Sequence, residues 1–360
     1  MKIAIVLGTR PEIIKMSPVI RECQKRQIDF FILHSGQHYS PNMDNIFFEE
    51  LNLPLPQYNL SINKEKKYSL QISKMTKEME KIFLKEKPDI IFVQGDTNTV
   101  LAGTLAAKNR RIKIGHIEAG LRSNDRRMLE EINRIVVDNI SDFLFTPTKE
   151  SFDNLEGESF DSKNIFNVGN TIVDSIKQNL GLANLKTNIL KKQGLKTKKY
   201  ILATSHRSEN VDKKEILNEI IKGLCLVQNY LDIPLIFPIH PRTKMRIREF
   251  GITIPKEITL IEPLGFLDFL QLEKNAKLIL TDSGGVQEEA CILNVPCVTM
   301  RISTERPETV SVGANIVSGL KSEKILKSSK KILNNKEWDN PFGDGKTAEK
   351  ILKIIQEEMV

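Results

Sequence analysis

Acid–base chemistry on an anionic substrate calls for carboxylates, an imidazole and fixed positive charge. This chain sets such residues at one recurring place, immediately after short apolar runs. Gly8-Thr9-Arg10, the stretch from His34 to His38, Gly95-Asp96-Thr97, His116 with Glu118, Ser205-His206-Arg207, His240, Asp282-Ser283 and Arg301 all stand there. Ligands of open parallel α/β sheets bind beyond the carboxyl ends of the strands. A lone histidine is more often a satisfied structural residue than a catalyst, but all five histidines fall at such ends or in the loop that follows. The simplest arrangement is two sheets whose functional rims face one cleft.

The segment KLILTDSGGVQEEA reads as strand, turn and helix. Ser283 suits the N-cap, and Gly284 and Gly285 let a ligand approach the backbone. The freed amides and the helix dipole then favour a phosphate; a plain tight turn is the competing explanation. Glu289, six residues beyond Ser283, is placed to hydrogen-bond the ribose hydroxyls of a nucleotide. GTRPEIIK is a second strand-to-helix entry, with Pro11 in the first helical turn and Arg10 and Lys15 available to a diphosphate. Neither GxGxxG nor a Walker A sequence occurs, which argues against a dinucleotide cofactor and against ATP hydrolysis.

GDTNTVLAG and GHIEAGLRSNDRRMLEEINR supply Asp96, Glu118, Glu130 and Glu131. Asp96 and Glu118 follow apolar runs, whereas the glutamate pair opens a helix, where acidic residues also favour the dipole. TSHRSEN and PIHPRT add His206, Arg207 and His240, with Glu209 available to orient an imidazole. STERPE brings Arg306, whose fixed fork suits a diphosphate. No His/Cys/Asp cluster has zinc-ligand spacing, and no metal is expected.

These residues need a scaffold of alternating strands and helices, and the chain spells one twice. Strands are expected at about 2–7, 29–34, 89–94, 112–117, 142–146 and 164–168, then at about 200–204, 234–238, 257–261, 277–281, 296–300 and 314–316. The clearest helices are 66–86 and 213–230. The expected fold class is α/β: two Rossmann-like, doubly wound parallel-sheet domains, at 1–168 and 169–344, followed by an amphipathic helix at 345–360. A length of 360 residues agrees with two cores. The net charge of +7 comes from lysines on polar helix faces without interleaved aromatics, so a solvated surface is expected rather than a nucleic-acid site. The longest apolar runs are too short to span a membrane, the N-terminus reads as a buried strand rather than a signal peptide, and four scattered cysteines suit a reducing cytoplasm.

GTRPEIIKMSP, SGQHY, QGDTNTVLAG, HIEAGLRSNDRRMLEEINR, TSHRSEN, PIHPRT, LTDSGGVQEEA and RISTERPETVSVGAN occur in the order found in non-hydrolysing UDP-N-acetylglucosamine 2-epimerases. The resemblance runs from residue 1 through PFGDGK and is highly specific taken together. It implies the GT-B fold, a C-terminal helix crossing back to the first domain, a homodimer, no cofactor, and UDP-N-acetylmannosamine as product for cell-surface polysaccharide or glycan. It places Arg10, Lys15, Asp96, Glu118 and His206 at the substrate, with Glu130 as a further acid/base candidate. Phe269 would lie by the uracil, Ser283, Gly284, Gly285 and Arg306 on the diphosphate, and Glu289 on the ribose. Gln37 and His38 match a second-ligand site of some members, and Arg207 and His240 would be accessory.

The chain departs from the family in a shorter segment between Arg122 and Glu130, in Leu129 where proline is usual, and in Leu264 beside the uracil. Rival readings are a 2-epimerase of a more modified UDP-sugar such as a diacetamido uronate, a hydrolysing epimerase, a glycosyltransferase of the same fold, and a non-catalytic sensor.

Overall fold

The computed structural model describes residues 1–36, 47–62, 67–335 and 337–359. They form two compact units, Met1–Gln178 with Phe342–Val360, and Asn179–Pro341.

The first unit is built on β1 (Lys2–Leu7), β2 (Asp29–His34), β3 (Tyr58–Asn59), β4 (Ile90–Gln94), β5 (Lys113–Ile117), β6 (Phe143–Thr146) and β7 (Ile165–Asn167). Their order is β3-β2-β1-β4-β5-β6-β7, every pair parallel. Strands buried on both faces need unbroken apolar runs, and Ile3 to Leu7 and Ile90 to Val93 supply them, all with no exposed surface. The helices of this unit are α1 (Arg10–Lys25), α2 (Tyr68–Glu86), α3 (Asn98–Asn109), α4 (Leu129–Ile140), α5 (Lys149–Gly157) and the first half of α6 (Thr171–Lys186). Met75, Met79 and Phe83 of α2 and Ala102 and Ala106 of α3 close one core with Val6 and Val93.

The second unit carries β8 (Ile201–Ala203), β9 (Leu235–Pro238), β10 (Ile258–Ile261), β11 (Leu278–Thr281), β12 (Cys297–Thr299) and β13 (Asn315–Val317), in the order β10-β9-β8-β11-β12-β13, again parallel. Its helices are α7 (Ile189–Lys192), α8 (Ser208–Val211), α9 (Lys214–Leu231), α10 (Pro241–Glu249), α11 (Phe266–Asn275), α12 (Gly284–Ile292), α13 (Pro307–Ser311) and α14 (Ser322–Ile332). Period-two alternation sends Ile201 and Ala203 into a core with α9 and α14, and Tyr200 and Leu202 into another with α11 and α12.

Each sheet reverses its strand order once, between β1 and β4 in the first unit and between β8 and β11 in the second. Those switch points are where ligands of such sheets bind. The turns at issue are therefore Gly8 to Arg10 with Gly95 to Thr97, and Thr204 to Arg207 with Asp282 to Gly285.

The twelve expected strands are all present, and among the described residues the two-residue edge strand β3 adds a thirteenth. It pairs Leu33 with Tyr58 and His34 with Asn59, too short a run to leave a periodicity. The expected domain break at 168/169 gives way to one between Gln178 and Asn179, inside α6. The reason is local bonding to the C-terminal segment: Asn170 N donates to Phe342 O (2.8 Å), Lys177 Nζ to Asp344 O (2.7 Å), and Ala348 N to Asp174 Oδ1 (3.0 Å). The last helix, α15 (Thr347–Glu358), packs on α1, where Arg26 reaches the Gln356 side chain at 2.8 Å. Among the described residues no helix is long and apolar enough to cross a membrane.

Gly120 closes the turn after β5 with φ +78°, and a Cβ there would come within 2.2 Å of the Ser151 carbonyl oxygen. Gly120→Ala is thus both strained and obstructed by backbone, at a cost of about 2 kcal/mol or more. The expected result is a thermal midpoint several degrees below that of the parent.

Candidate active site

In the first unit α1 starts with Thr9 as N-cap and Pro11 in its first turn. Its capping box is closed by Glu12, whose Oε2 accepts from Gly8 N (2.5 Å) and Thr9 N (2.8 Å). The other oxygen, Oε1, accepts from Thr97 Oγ1 (2.6 Å), in the turn after β4. Gly8 is obligatory here, since a Cβ would come 2.0 Å from Thr99 Oγ1. Arg10 opens the helix with its guanidinium 4.9 Å from the centre of the Phe47 ring.

Lys15, one turn further along α1, is buried and donates from Nζ to Glu118 Oε1 at 2.6 Å. Gln94, the buried last residue of β4, donates from Nε2 to Glu118 Oε2. Glu118 follows β5 in a left-handed conformation, φ +70°, which costs a non-glycine residue on the order of 1 kcal/mol. Its own amide and that of Ala119 donate to Phe145 O at 3.1 Å, holding that turn.

Asp96 accepts from Arg134 Nη2, and its carbonyl oxygen accepts from Asn133 Nδ2 at 2.9 Å. The glutamate pair divides its labour. Glu131 is buried and clasps the preceding loop, accepting from the amides of Ser123 and Asn124 (2.9 Å each) and from Arg134 (2.8 Å). Burial works against its ionisation, but those amides and Arg134 hold its carboxyl below the usual value. Glu130 is exposed on the first turn of α4, so the clasping role belongs to Glu131.

The described histidines do not share one role. His116 is wholly buried between Asp138 (2.7 Å) and the Gly95 carbonyl (2.8 Å), a structural strut under Asp96. His34 is also wholly buried, and desolvation pushes its imidazole down to about 4. Gln37 and His38 lie outside the described residues.

In the second unit one carboxylate organises the rim. Asp282, with no exposed surface, accepts from Ser205 Oγ (2.8 Å), the amides of His206 (2.9 Å) and Arg207 (3.1 Å), and Asn210 Nδ2 (3.0 Å). His206 Nδ1 lies 3.2 Å from its Oδ1. Burial opposes it, yet His206 and these donors keep the Asp282 carboxyl below its ordinary value. Asp282 therefore orients the imidazole, not Glu209, which instead lies 3.6 Å from Arg301. The His206 ring is 41% exposed and stands 5.3 Å from that of His240. His240 caps α10 by accepting from Arg242 N at 3.2 Å, and burial, followed by the nearby His206 and Arg242, lowers its pKa. Both histidines, with Pro263, Leu264, Ser283 and Val286, line a pocket of about 200 Å³. Phe269, on α11, is half-buried against the core that also holds Leu264 and Val286.

Ser283 is the N-cap of α12, and its hydroxyl makes no cap bond to the helix. Gly285 is exposed with open space where a Cβ would be. The first-turn amides, carrying the positive end of the dipole, are thus presented as an anion site. Arg207 and Glu305 both border it, Arg207 Nη2 and Glu305 Oε2 each lying 3.9 Å from a Cβ position on Gly284. Glu305 accepts from Arg301 through both oxygens (2.6 and 2.9 Å) and from Arg207 at 3.4 Å. Burial opposes its ionisation, but Arg301 and Arg207 bring the Glu305 carboxyl down to about 2. Arg306 is held at Nε by the buried Glu288 (2.7 Å) and donates from Nη1 to Glu305 O (2.9 Å), so its fork is part of a protein network. Glu289, half-buried, neighbours Glu273, which has no exposed surface. Burial first, and Glu289 second, raise the Glu273 carboxyl well above the usual range. Among the described residues no group of three or more His, Cys, Asp or Glu could hold a metal ion.

Two doubly wound units, one with carboxylates at its strand ends and one with an open helix N-terminus flanked by arginines, define a nucleotide-sugar enzyme of the GT-B class. A family model described as UDP-N-acetylglucosamine 2-epimerase matches residues 21–356. The chain is 54% identical over 362 residues to the UDP-N-acetylglucosamine 2-epimerase of Methanocaldococcus jannaschii, covering 99% of each. A crystal structure of that organism's enzyme in complex with UDP-GlcNAc and UDP superposes with a TM-score of 0.90, covering 99% of this chain and 100% of the other. The UDP-2,3-diacetamido-2,3-dideoxy-D-glucuronate 2-epimerase of Pseudomonas aeruginosa is 40% identical over 360 residues, with 99% of each covered. The chain belongs to the UDP-N-acetylglucosamine 2-epimerase family and is an epimerase.

Two predictions follow from burial. Lys15→Met leaves the Glu118 carboxylate buried without its cation and costs about 3–5 kcal/mol. The double variant Lys15→Met/Glu118→Gln recovers most of that loss, as read from a double-mutant cycle of thermal stabilities. Asp282→Asn removes the acceptor that Ser205, His206, Arg207 and Asn210 share and lowers the thermal midpoint, and His206→Asn, which removes one partner of that carboxylate, lowers it less.

Proposed function

We propose that the chain interconverts UDP-N-acetylglucosamine and UDP-N-acetylmannosamine without hydrolysis. The C2–H bond of this sugar has no adjacent carbonyl to acidify it. Departure of UDP solves the problem: a carboxylate takes the C2 proton, the C–H electrons form the C1=C2 bond, and the C1–O pair leaves with UDP. The products are 2-acetamidoglucal and UDP, held in place. A proton delivered to the other face of C2 and return of the UDP oxygen to C1 complete the inversion.

In this reading Asp96, Glu118 and Glu130 form the acid/base set. Arg10 and Lys15 balance charge at the sugar and diphosphate. Ser283, Gly284 and Gly285 hold the diphosphate with the α12 amides, Glu289 binds the ribose, and His206 assists the leaving group. The pocket by His240 and Leu264, with Phe269 near it, suits the flat uracil ring. Arg306 would serve the diphosphate through the network it shares with Glu288 and Glu305.

The observation that carries the reading is Glu118. A nucleotide-binding module has no use for a buried carboxylate held at positive φ with a lysine on one oxygen and a glutamine amide on the other. The family resemblance further supports a homodimer acting in the cytoplasm on precursors of surface polysaccharide or glycan, and the four unbridged cysteines suit that compartment.

Incubation with UDP-N-acetylglucosamine in deuterated water, with no added cofactor, is expected to place deuterium at C2 of both epimers. Release of free N-acetylmannosamine would mean a hydrolysing enzyme, and exchange confined to a diacetamido uronate substrate would mean the other branch. Asp96→Asn and Glu118→Gln should abolish exchange and keep UDP binding.

A further inference from the structure

GTRPE contributes a residue that the reaction scheme above leaves unused. Glu12 is only 2% exposed, yet its carboxylate holds three donors within 2.8 Å from two different turns. Gly8 and Thr9 belong to the turn that launches Arg10, and Thr97 follows Asp96 directly. Those turns flank the point where the first sheet reverses its strand order. An ordinary capping box closes on its own helix alone. This one also reaches across the sheet to a second helix, whose N-cap is Thr97.

We propose that Glu12 is a positioning residue for the epimerisation, lacing the turn that carries Arg10 to the turn that carries Asp96. The proposal rests on the reaction assigned above and adds to it the device that keeps a substrate-facing cation and an acid/base carboxylate in register. The lacing does not depend on a negative charge. A neutral carboxyl accepts the two amides through one oxygen and donates through the other to Thr97, whose hydroxyl turns to accept. Burial, the largest influence, pushes the Glu12 carboxyl up to about 7, with the neighbouring Asp96 adding to the rise, so the neutral form is well populated near neutrality. A glutamine at this position reproduces the same pattern, while an alanine has none of it.

The test compares Glu12→Ala, Glu12→Gln, Thr97→Val and Thr97→Ser with the parent enzyme. Its readouts are C2 deuterium incorporation and amide hydrogen exchange of peptides spanning residues 7–12 and 95–100. Glu12→Ala and Thr97→Val are expected to lower kcat by about 10–100-fold with KM changed less than about threefold. Glu12→Ala should also speed amide exchange in both peptides. Glu12→Gln and Thr97→Ser should restore turnover to within about threefold of the parent and restore slow exchange.

Parent-like turnover in folded Glu12→Ala overturns the proposal, and so does a Glu12→Gln enzyme as impaired as the alanine variant. If Glu12→Ala does not fold, the Thr97 pair decides. Thr97→Val leaves the α1 capping box intact but also removes the N-cap of the second helix, which loosens residues 95–100 alone. Faster exchange in residues 7–12 therefore reads the lace, and its absence overturns the proposal. A parent enzyme silent on every UDP-sugar overturns the assigned reaction instead, and the amide readout then decides the lacing by itself. Faster exchange confined to residues 7–12 overturns it.

Discussion

At the switch point of each sheet a buried carboxylate ties two neighbouring turns together, and the candidate site hangs from those ties. Asp282 does this in the second unit, drawing the amides of His206 and Arg207 and the side chains of Ser205 and Asn210 onto the end of β11. Glu12 does it in the first, drawing Gly8 and Thr9 to Thr97. Burying a carboxylate is costly unless donors meet it from most sides, and both are met by at least three. In a dinucleotide-binding fold the amides of the first strand-to-helix turn are left open to a ligand phosphate. Here the Gly8 and Thr9 amides are already taken from within, by Glu12.

The internal capture sets how the chemistry is apportioned. The first unit brings Lys15, Glu118 and Gln94 into one buried cluster and Asp96, Arg134 and Glu131 into another. The second surrounds an uncapped helix end with Arg207, Arg301 and Glu305. In the proposed reaction the first set would move protons and the second would receive negative charge. An elimination that pulls a proton from carbon while a diphosphate departs asks for both. Glu118 shows the strain such a site carries, because its positive φ persists only with its carboxylate and backbone both pinned.

Much of this was legible in the sequence. Every long strand reads as an apolar run, and DSGG and GTRPE mark strand-to-helix turns. What escaped were the partners. Asp282 looked like part of a turn, and nothing local signals that its carboxylate points back at residues 205–210. Gln94 reads as the end of a strand, and its contact with Glu118 exists only because β4 and β5 lie side by side. Glu12 was not singled out at all, and its tie to Thr97 depends on β1 and β4 being adjacent. The histidines misled for the same reason. His116 and His206 occupy equivalent places in the sequence pattern, and only packing separates a buried strut from a half-exposed ring. Glu130 and Glu131 differ by one residue and by 100° around a helix, enough to bury one and expose the other.

The central claim is that the bond between C1 and the UDP oxygen breaks and re-forms during epimerisation. Positional isotope exchange reads that event directly. With oxygen-18 in the bridge between C1 and the β-phosphorus, the account predicts migration of label into the non-bridging β-phosphate positions during epimerisation. Epimerisation that proceeds with the label fixed in the bridge would contradict it.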